Sequence, residues 1–183
     1  MTKQGMRSLA NFILFQIAWF AAVLVPGTAS ITIGLLALAL HFAFISSFRL
    51  RELRFVIMAG VLGICVDVLL QNLGVLRFPG YEGYYAGGMI PAWLAVLWLV
   101  FATAVNHCLY WMRHYPVILF GMPPFAGAFA YAAADRFGAL ELGYGLWGPL
   151  AMAVSWGVLY PIFVRISQWL EDIEEEPLVE QRW

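Results

Sequence analysis

Charge is what this sequence has least of. Only 11% of its 183 residues are Asp, Glu, Lys or Arg, while 63% are hydrophobic; a soluble domain is usually about a quarter charged and about half apolar. Ten basic and eleven acidic side chains give a net charge of -1 with no basic stripe, which excludes the electrostatic footprint of a nucleic-acid binder. Cysteine is nearly absent: Cys65 and Cys108 both fall inside apolar runs, so a disulfide framework is excluded. Serine is scarce in those runs. No G-x-S-x-G elbow, phosphate-binding loop or dinucleotide fingerprint occurs.

What the chain does have is six long apolar runs, at about 9–25, 29–47, 55–74, 91–112, 117–135 and 148–170. About 20 apolar residues cross a bilayer as a helix, so the expected fold is all-α: a polytopic transmembrane bundle of six helices, one integral membrane domain over 1–183. Pro26-Gly27-Thr28 and Arg113-His114-Tyr115-Pro116 are tight breaks that pair neighbouring runs into hairpins. Lys3 and Arg7 before the first run would also suit a cleaved signal peptide, with small residues at Thr28-Ala29-Ser30. That run exceeds the usual apolar region of such peptides, and a second span follows at once, so a retained helix is expected.

Lys3, Arg7, Arg49, Arg51, Arg54 and Arg113 fall on one side of the alternating runs, whereas Arg77 and Arg136 on the other have acidic company. Lys and Arg concentrate in cytoplasmic loops. Both termini are therefore expected in the cytoplasm, with Arg165 snorkelling from the last span. The tail 171–183 opens with an acidic cluster, Glu171-Asp172-Ile173-Glu174-Glu175-Glu176, expected to be solvated.

Two stretches echo each other. Val56-Ile57, Gly60 and Leu73-Gly74-Val75-Leu76-Arg77-Phe78 correspond loosely to Val117-Ile118, Gly121 and Phe137-Gly138-Ala139-Leu140-Glu141-Leu142. Each precedes a glycine-rich loop and a proline-led span, Pro91 with Trp98 and Pro149 with Trp156. The pattern admits repeated helical hairpins, a plan common in transport folds, where the repeat interface holds the site.

Polar residues within the spans are the candidate site. Asp67 is the one carboxylate well inside a run, with Gln71 one turn on and Asn72 nearby. A charge near the bilayer centre costs about 2.5–3.5 kcal/mol on insertion scales, so Asp67 should face the interior, either locking helices together or relaying protons. Toward the other end, Asn11, His41, Thr103, Asn106 and His107 can form a polar seam, for which interhelical hydrogen bonds are the plain reading. Two histidines with Asp67 or Cys108 could ligate zinc or iron, and His41 with His107 a haem, but no pair has ligand-like spacing. No metal and no cofactor is expected.

Ala59-Gly60 with Gly63, and Ala126, Ala130 and Ala134 with Gly127, read as close-packing faces. Met122-Pro123-Pro124 should interrupt the fifth helix. The longest break, rich in Gly and Tyr, could cover an outward cavity and bring Glu82 near Asp67.

Together, Asn11-Phe12, Gln16, Trp19-Phe20, the Gly60–Asp67 stretch, Pro91-Ala92-Trp93 with Trp98, Phe101-Ala102-Thr103, Asn106-His107 and Gly138-Ala139-Leu140-Glu141-Leu142 resemble an uncharacterised family of small bacterial inner-membrane proteins. In that family a serine often follows the Asn-His pair; here Cys108 stands there. The resemblance implies a bacterial inner-membrane setting and a place beside lipid-modifying enzymes in bacterial genomes, and carries no assigned chemistry. The first functional expectation is a non-catalytic protein that binds or handles an apolar, lipid-like molecule or assists another membrane protein. The alternatives are a proton-coupled small transporter using Asp67 and a membrane-embedded lipid-modifying enzyme using His41, Asn106 and His107. The bilayer is the expected partner and nucleic acid is not; oligomeric state is not legible.

Overall fold

The structure, a computed structural model, describes residues 2–80 and 89–180, with side chains to Ile173. Six helices account for most of it: α1 (Lys3–Leu24), α2 (Thr28–Leu40), α3 (Arg49–Asn72), α4 (Ala92–Val105), α5 (Pro116–Arg136) and α6 (Trp147–Glu180). Five stretches are long and apolar enough to cross a membrane: Lys3–Leu24, Thr28–Ile45, Arg49–Asn72, Pro116–Arg136 and Trp147–Ile173. The chain is thus a multi-pass membrane protein by the length and composition of its helices.

The fourth expected span is the exception. At 1.5 Å per residue, the 14 residues of α4 cover only about 21 Å, short of a hydrocarbon core of about 30 Å. The chain instead leaves the helix at Asn106, passes through an irregular link, and continues as a short 3₁₀ helix, Tyr110–His114. α4 is the central helix, packed against α1, α2, α3 and α6. Glycines let its neighbours approach. A Cβ on Gly34 of α2 would lie 2.5 Å from Val96, and one on Gly60 of α3 would lie 2.4 Å from Leu99.

Two further expectations change. Pro123 and Pro124 do not interrupt α5, which runs through them unbroken. Pro124 lies against Gly157 of α6, where an added Cβ would come within 3.2 Å of the ring, so helix packing holds a segment that local propensity would break. The acidic tail is not wholly solvated: α6 extends through it, and Glu171 accepts both oxygens' bonds from Arg113 Nη1 at 3.1 Å.

Arg7 bonds Ser47, joining the start of α1 to the end of the second span. With the Arg113–Glu171 pair this marks one end of the bundle, the polar end. The other, the strand end, carries β1 (Leu76–Arg77) and β2 (Glu141–Leu142), paired antiparallel with Leu76 opposite Leu142 and Arg77 opposite Glu141. Gly74 and Gly138, at φ +75° and +79°, end α3 and α5 by the same device. The amide two residues beyond each cap bonds back to the helix, Val75 to Leu70 and Ala139 to Ala134.

Candidate functional site

One stripe of α3 faces the bundle interior: Glu52, Val56, Ala59, Gly63, Asp67 and Leu70 are all buried. It carries two carboxylates, 15 residues and therefore about 22 Å apart along the helix. Each organises a separate polar centre.

At the polar end, Glu52 Oε1 lies 2.7 Å from His41 Nε2 and 2.7 Å from His107 Nε2. The two imidazoles meet edge to face, with ring centroids 4.8 Å apart. Behind them Asn11 Nδ2 is 3.2 Å from His41 Nδ1 and donates to Thr103 Oγ1 at 2.9 Å; the Thr103 hydroxyl donates in turn to the Val100 carbonyl. With Asn11 donating to Nδ1, His41 carries its proton on Nε2 and donates it to Glu52. Glu52 and His41 are buried, and the His107 side chain keeps 17% of its surface exposed. The centre is closed on the bundle side and open at one imidazole.

Backbone irregularity places both histidines. His41 opens a π-helical turn, His41–Ile45, closed by the Ser46 amide on the His41 carbonyl at 3.0 Å. His107 lies in the link after α4, where the Leu109 amide reaches back to Ala104. Departures from regular α-helix of this kind recur at functional sites.

This centre contains His41 and His107, together with the Asn11 and Thr103 of the expected seam, but not Asn106. Asn106 Oδ1 instead accepts from Ser167 Oγ at 2.7 Å, within the network that joins Arg113, Ser167 and Glu171. That network ties the link after α4 to α6, and the Arg113 guanidinium also stacks over the Tyr110 ring at 3.8 Å. Glu52 is the member that sequence reasoning missed. Set among Arg49, Arg51 and Arg54 it reads as a solvated loop charge, but it sits four residues before Val56 and extends the buried stripe leading to Asp67. His41, Glu52 and His107 are also the one group of three potential metal donors among the described residues, all three donor atoms lying within 4.8 Å of one another.

Toward the strand end, Asp67 is fully buried, and its Oδ2 accepts from Trp98 Nε1 and Tyr131 Oη, each at 2.6 Å. Oδ1 has no partner among the described residues, and neither has the buried Oε1 of Gln71. Asp67 and Gln71 do share a helix face, but no hydrogen bond joins them among the described residues. Glu82, the other acidic residue expected here, lies outside the described residues.

Trp98 and Tyr131 also form part of the wall of a cavity of about 520 Å³. Phe15, Trp19 and Phe20 of α1 line one side and Ala126, Phe129 and Ala130 of α5, with Phe137 just beyond it, the other, with Trp93 of α4 and Trp156 of α6 between them. The lining is almost wholly apolar, Gln16 being an exception. Trp156 stacks on Trp98 at 5.3 Å and 19°. Glycine seats each indole: a Cβ on Gly63 would fall 2.3 Å from Trp98, and one on Gly127 2.1 Å from Trp156. The small residues of α5 thus have two uses. Gly127 admits a tryptophan from α6, while Ala126 and Ala130, expected to pack against a helix, border the cavity. Phe20, Phe129 and Phe137, all on the lining, are 46%, 76% and 55% exposed, so the cavity opens at the outer surface of two membrane-length helices.

Residues 8–162 match the model of a family described as Protein of unknown function (DUF2878), and the chain belongs to that family. No curated protein and no solved structure matches it.

Proposed function

We propose that this chain is a non-catalytic inner-membrane protein that holds an acyl chain of a lipid or lipid-like molecule in the cavity between α1 and α5. The observation that carries this reading is the cavity itself: about 520 Å³, apolar, and open where exposed phenylalanines of α1 and α5 would meet hydrocarbon. Its volume is in the range of small-molecule sites, which are typically about 300–1,000 Å³. Trp93 and Trp156 help line it, and their indole N–H groups, buried away from its accessible space, have no acceptor among the described residues. Asp67 acts here as a positioning residue, fixing Trp98 and Tyr131 from behind the wall.

In this reading both termini are cytoplasmic, supported by the arginines gathered at the polar end, and the cavity belongs to the outward half. α3–β1–α4 and α5–β2–α6 are duplicated hairpins related by a pseudo-two-fold axis along the bundle. Four correspondences at a constant offset of 64 positions support the duplication. Gly63 and Gly127 each seat a tryptophan; Asp67 and Tyr131 bond each other; Gly74 and Gly138 cap their helices; Arg77 and Glu141 pair across the ladder. The pairing of Gly60 with Gly121 suggested by sequence does not fit, since Gly60 packs on Leu99 while Gly121 meets open space.

Mass spectrometry of protein purified in mild detergent tests the function. The wild type should retain lipid-like molecules in near-stoichiometric amount, and Ala130→Trp, which fills the cavity, should lose them while eluting as the same species. A wild type that retains nothing, or an Ala130→Trp variant that retains as much, overturns the reading. Reporter fusions at each terminus test the orientation.

A further inference from the structure

We propose that His41, Glu52 and His107 form a binding site for a divalent first-row transition metal of the zinc type. The inference is independent of the lipid reading. It uses a different end of the bundle and different residues.

Three features support it. The first is convergence: two imidazoles present the same nitrogen, Nε2, to one carboxylate oxygen, each at 2.7 Å, and the three residues come from three separate parts of the chain. The second is the donor set. Two neutral nitrogens and one carboxylate suit zinc and its neighbours rather than calcium or magnesium, and three protein ligands leave a fourth position open. Partial exposure of His107 puts that position at the accessible edge. The third is the backbone, irregular at both histidines although a regular helix leads into each.

The hydrogen bonds now joining these residues are what protons make of such a site. Metal–ligand distances near 2.1 Å in tetrahedral geometry place donor atoms roughly 3.4 Å apart. Replacing two N–H protons by one metal ion therefore needs each nitrogen, now 2.7 Å from Glu52 Oε1, to draw back from it by less than an ångström, and the two nitrogens, which lie within 4.8 Å of each other, to settle at the same spacing. Each imidazole must then offer a lone pair at Nε2 and carry its proton at Nδ1. For His41 this requires the Asn11 amide to turn and present its oxygen, giving up the bond that oxygen now accepts from the Cys108 amide at 3.4 Å. Thr103 can follow, because a hydroxyl both donates and accepts. Asn11 is thus a positioning residue for the metal-bound state. Each ion taken up releases any proton that Nε2 carried beyond the one Nδ1 retains, which makes binding pH-dependent.

The test uses the full chain in detergent, stripped with a chelator and titrated with Zn²⁺ or Co²⁺. One ion per chain should bind, Co²⁺ should give the visible absorption of a four-coordinate nitrogen–oxygen site, and the melting temperature should rise with added metal. His107→Gln, at the exposed edge and so least threatening to folding, should abolish the spectrum and the thermal shift. Glu52→Gln should do the same, and Asn11→Ala should weaken binding by about 10–100-fold. Lipid retention should be unchanged in His107→Gln, which separates this proposal from the cavity reading. Absence of stoichiometric binding by the wild type, or binding that survives in a folded His107→Gln protein, overturns it.

Discussion

Glu52 and Asp67 sit on one stripe of one helix, both buried, yet their surroundings differ in kind. Glu52 is met by two imidazoles, bases that can carry charge and coordinate. Asp67 is met by an indole and a phenol, neutral donors that can only hydrogen-bond. The first centre offers nitrogen and oxygen donors to a cation once its protons and the Asn11 amide rearrange; the second has no such route, and its donors double as the wall of an apolar cavity. A buried carboxylate in a membrane protein therefore has no single meaning: the elements that cross it decide whether it is a ligand or a strut.

The contrast can be broken in order of expected effect. Glu52→Ala should be the most damaging, removing two hydrogen bonds to a charged group at about 1.5–3 kcal/mol each, read as a loss of stability in detergent unfolding. Gly127→Leu should cost about 1–3 kcal/mol or more by overpacking, because the new Cβ meets the Trp156 ring; the matched Gly63→Leu against Trp98 should behave alike if the two hairpins are equivalent. Asp67→Asn should cost about 1–2 kcal/mol, since Asn keeps an acceptor for Trp98 or Tyr131 but loses the charge assistance; tryptophan emission should change, with metal uptake at the other centre intact. If Asp67 instead couples transport, the same variant abolishes pH-dependent uptake with little change in stability. Arg113→Lys should be mildest, about 1 kcal/mol, since the charge is kept and Glu171 is partly exposed, while the buried arginine's stacking on Tyr110 and its bond to Ser167 are lost.

Much of this was legible before any coordinates. Asp67, His41 and His107 stood out because polar groups are costly in lipid, and a costly residue must find partners. Glu52 was hidden by its arginine neighbours, since local charge density masks a helical stripe that only a correctly placed helix start reveals. Asn106 was grouped with His107 because the two are adjacent. The end of α4 at Val105 sends them to different partners, one toward α6 and the other toward α3. Pro123-Pro124 reads as a break because propensity is local, whereas Gly157 on α6 gives the Pro124 ring room to pack and the helix runs on.

By itself the sequence determined the class of molecule: membrane-length apolar helices, the pairing of the first two at the Pro26-Gly27 break (the fourth and fifth, joined at the similar Arg113–Pro116 break, do not pack together), and a short roster of buried polar groups. These follow from hydropathy and backbone stereochemistry, which act along the chain. Only the tertiary structure decided which polar groups meet, that Ala126 and Ala130 border a space rather than a helix, and that one carboxylate gathers imidazoles while the other gathers aromatic donors. Those outcomes depend on how far each helix runs and how it is rotated against its neighbours, and side-chain volumes on separate helices set both together.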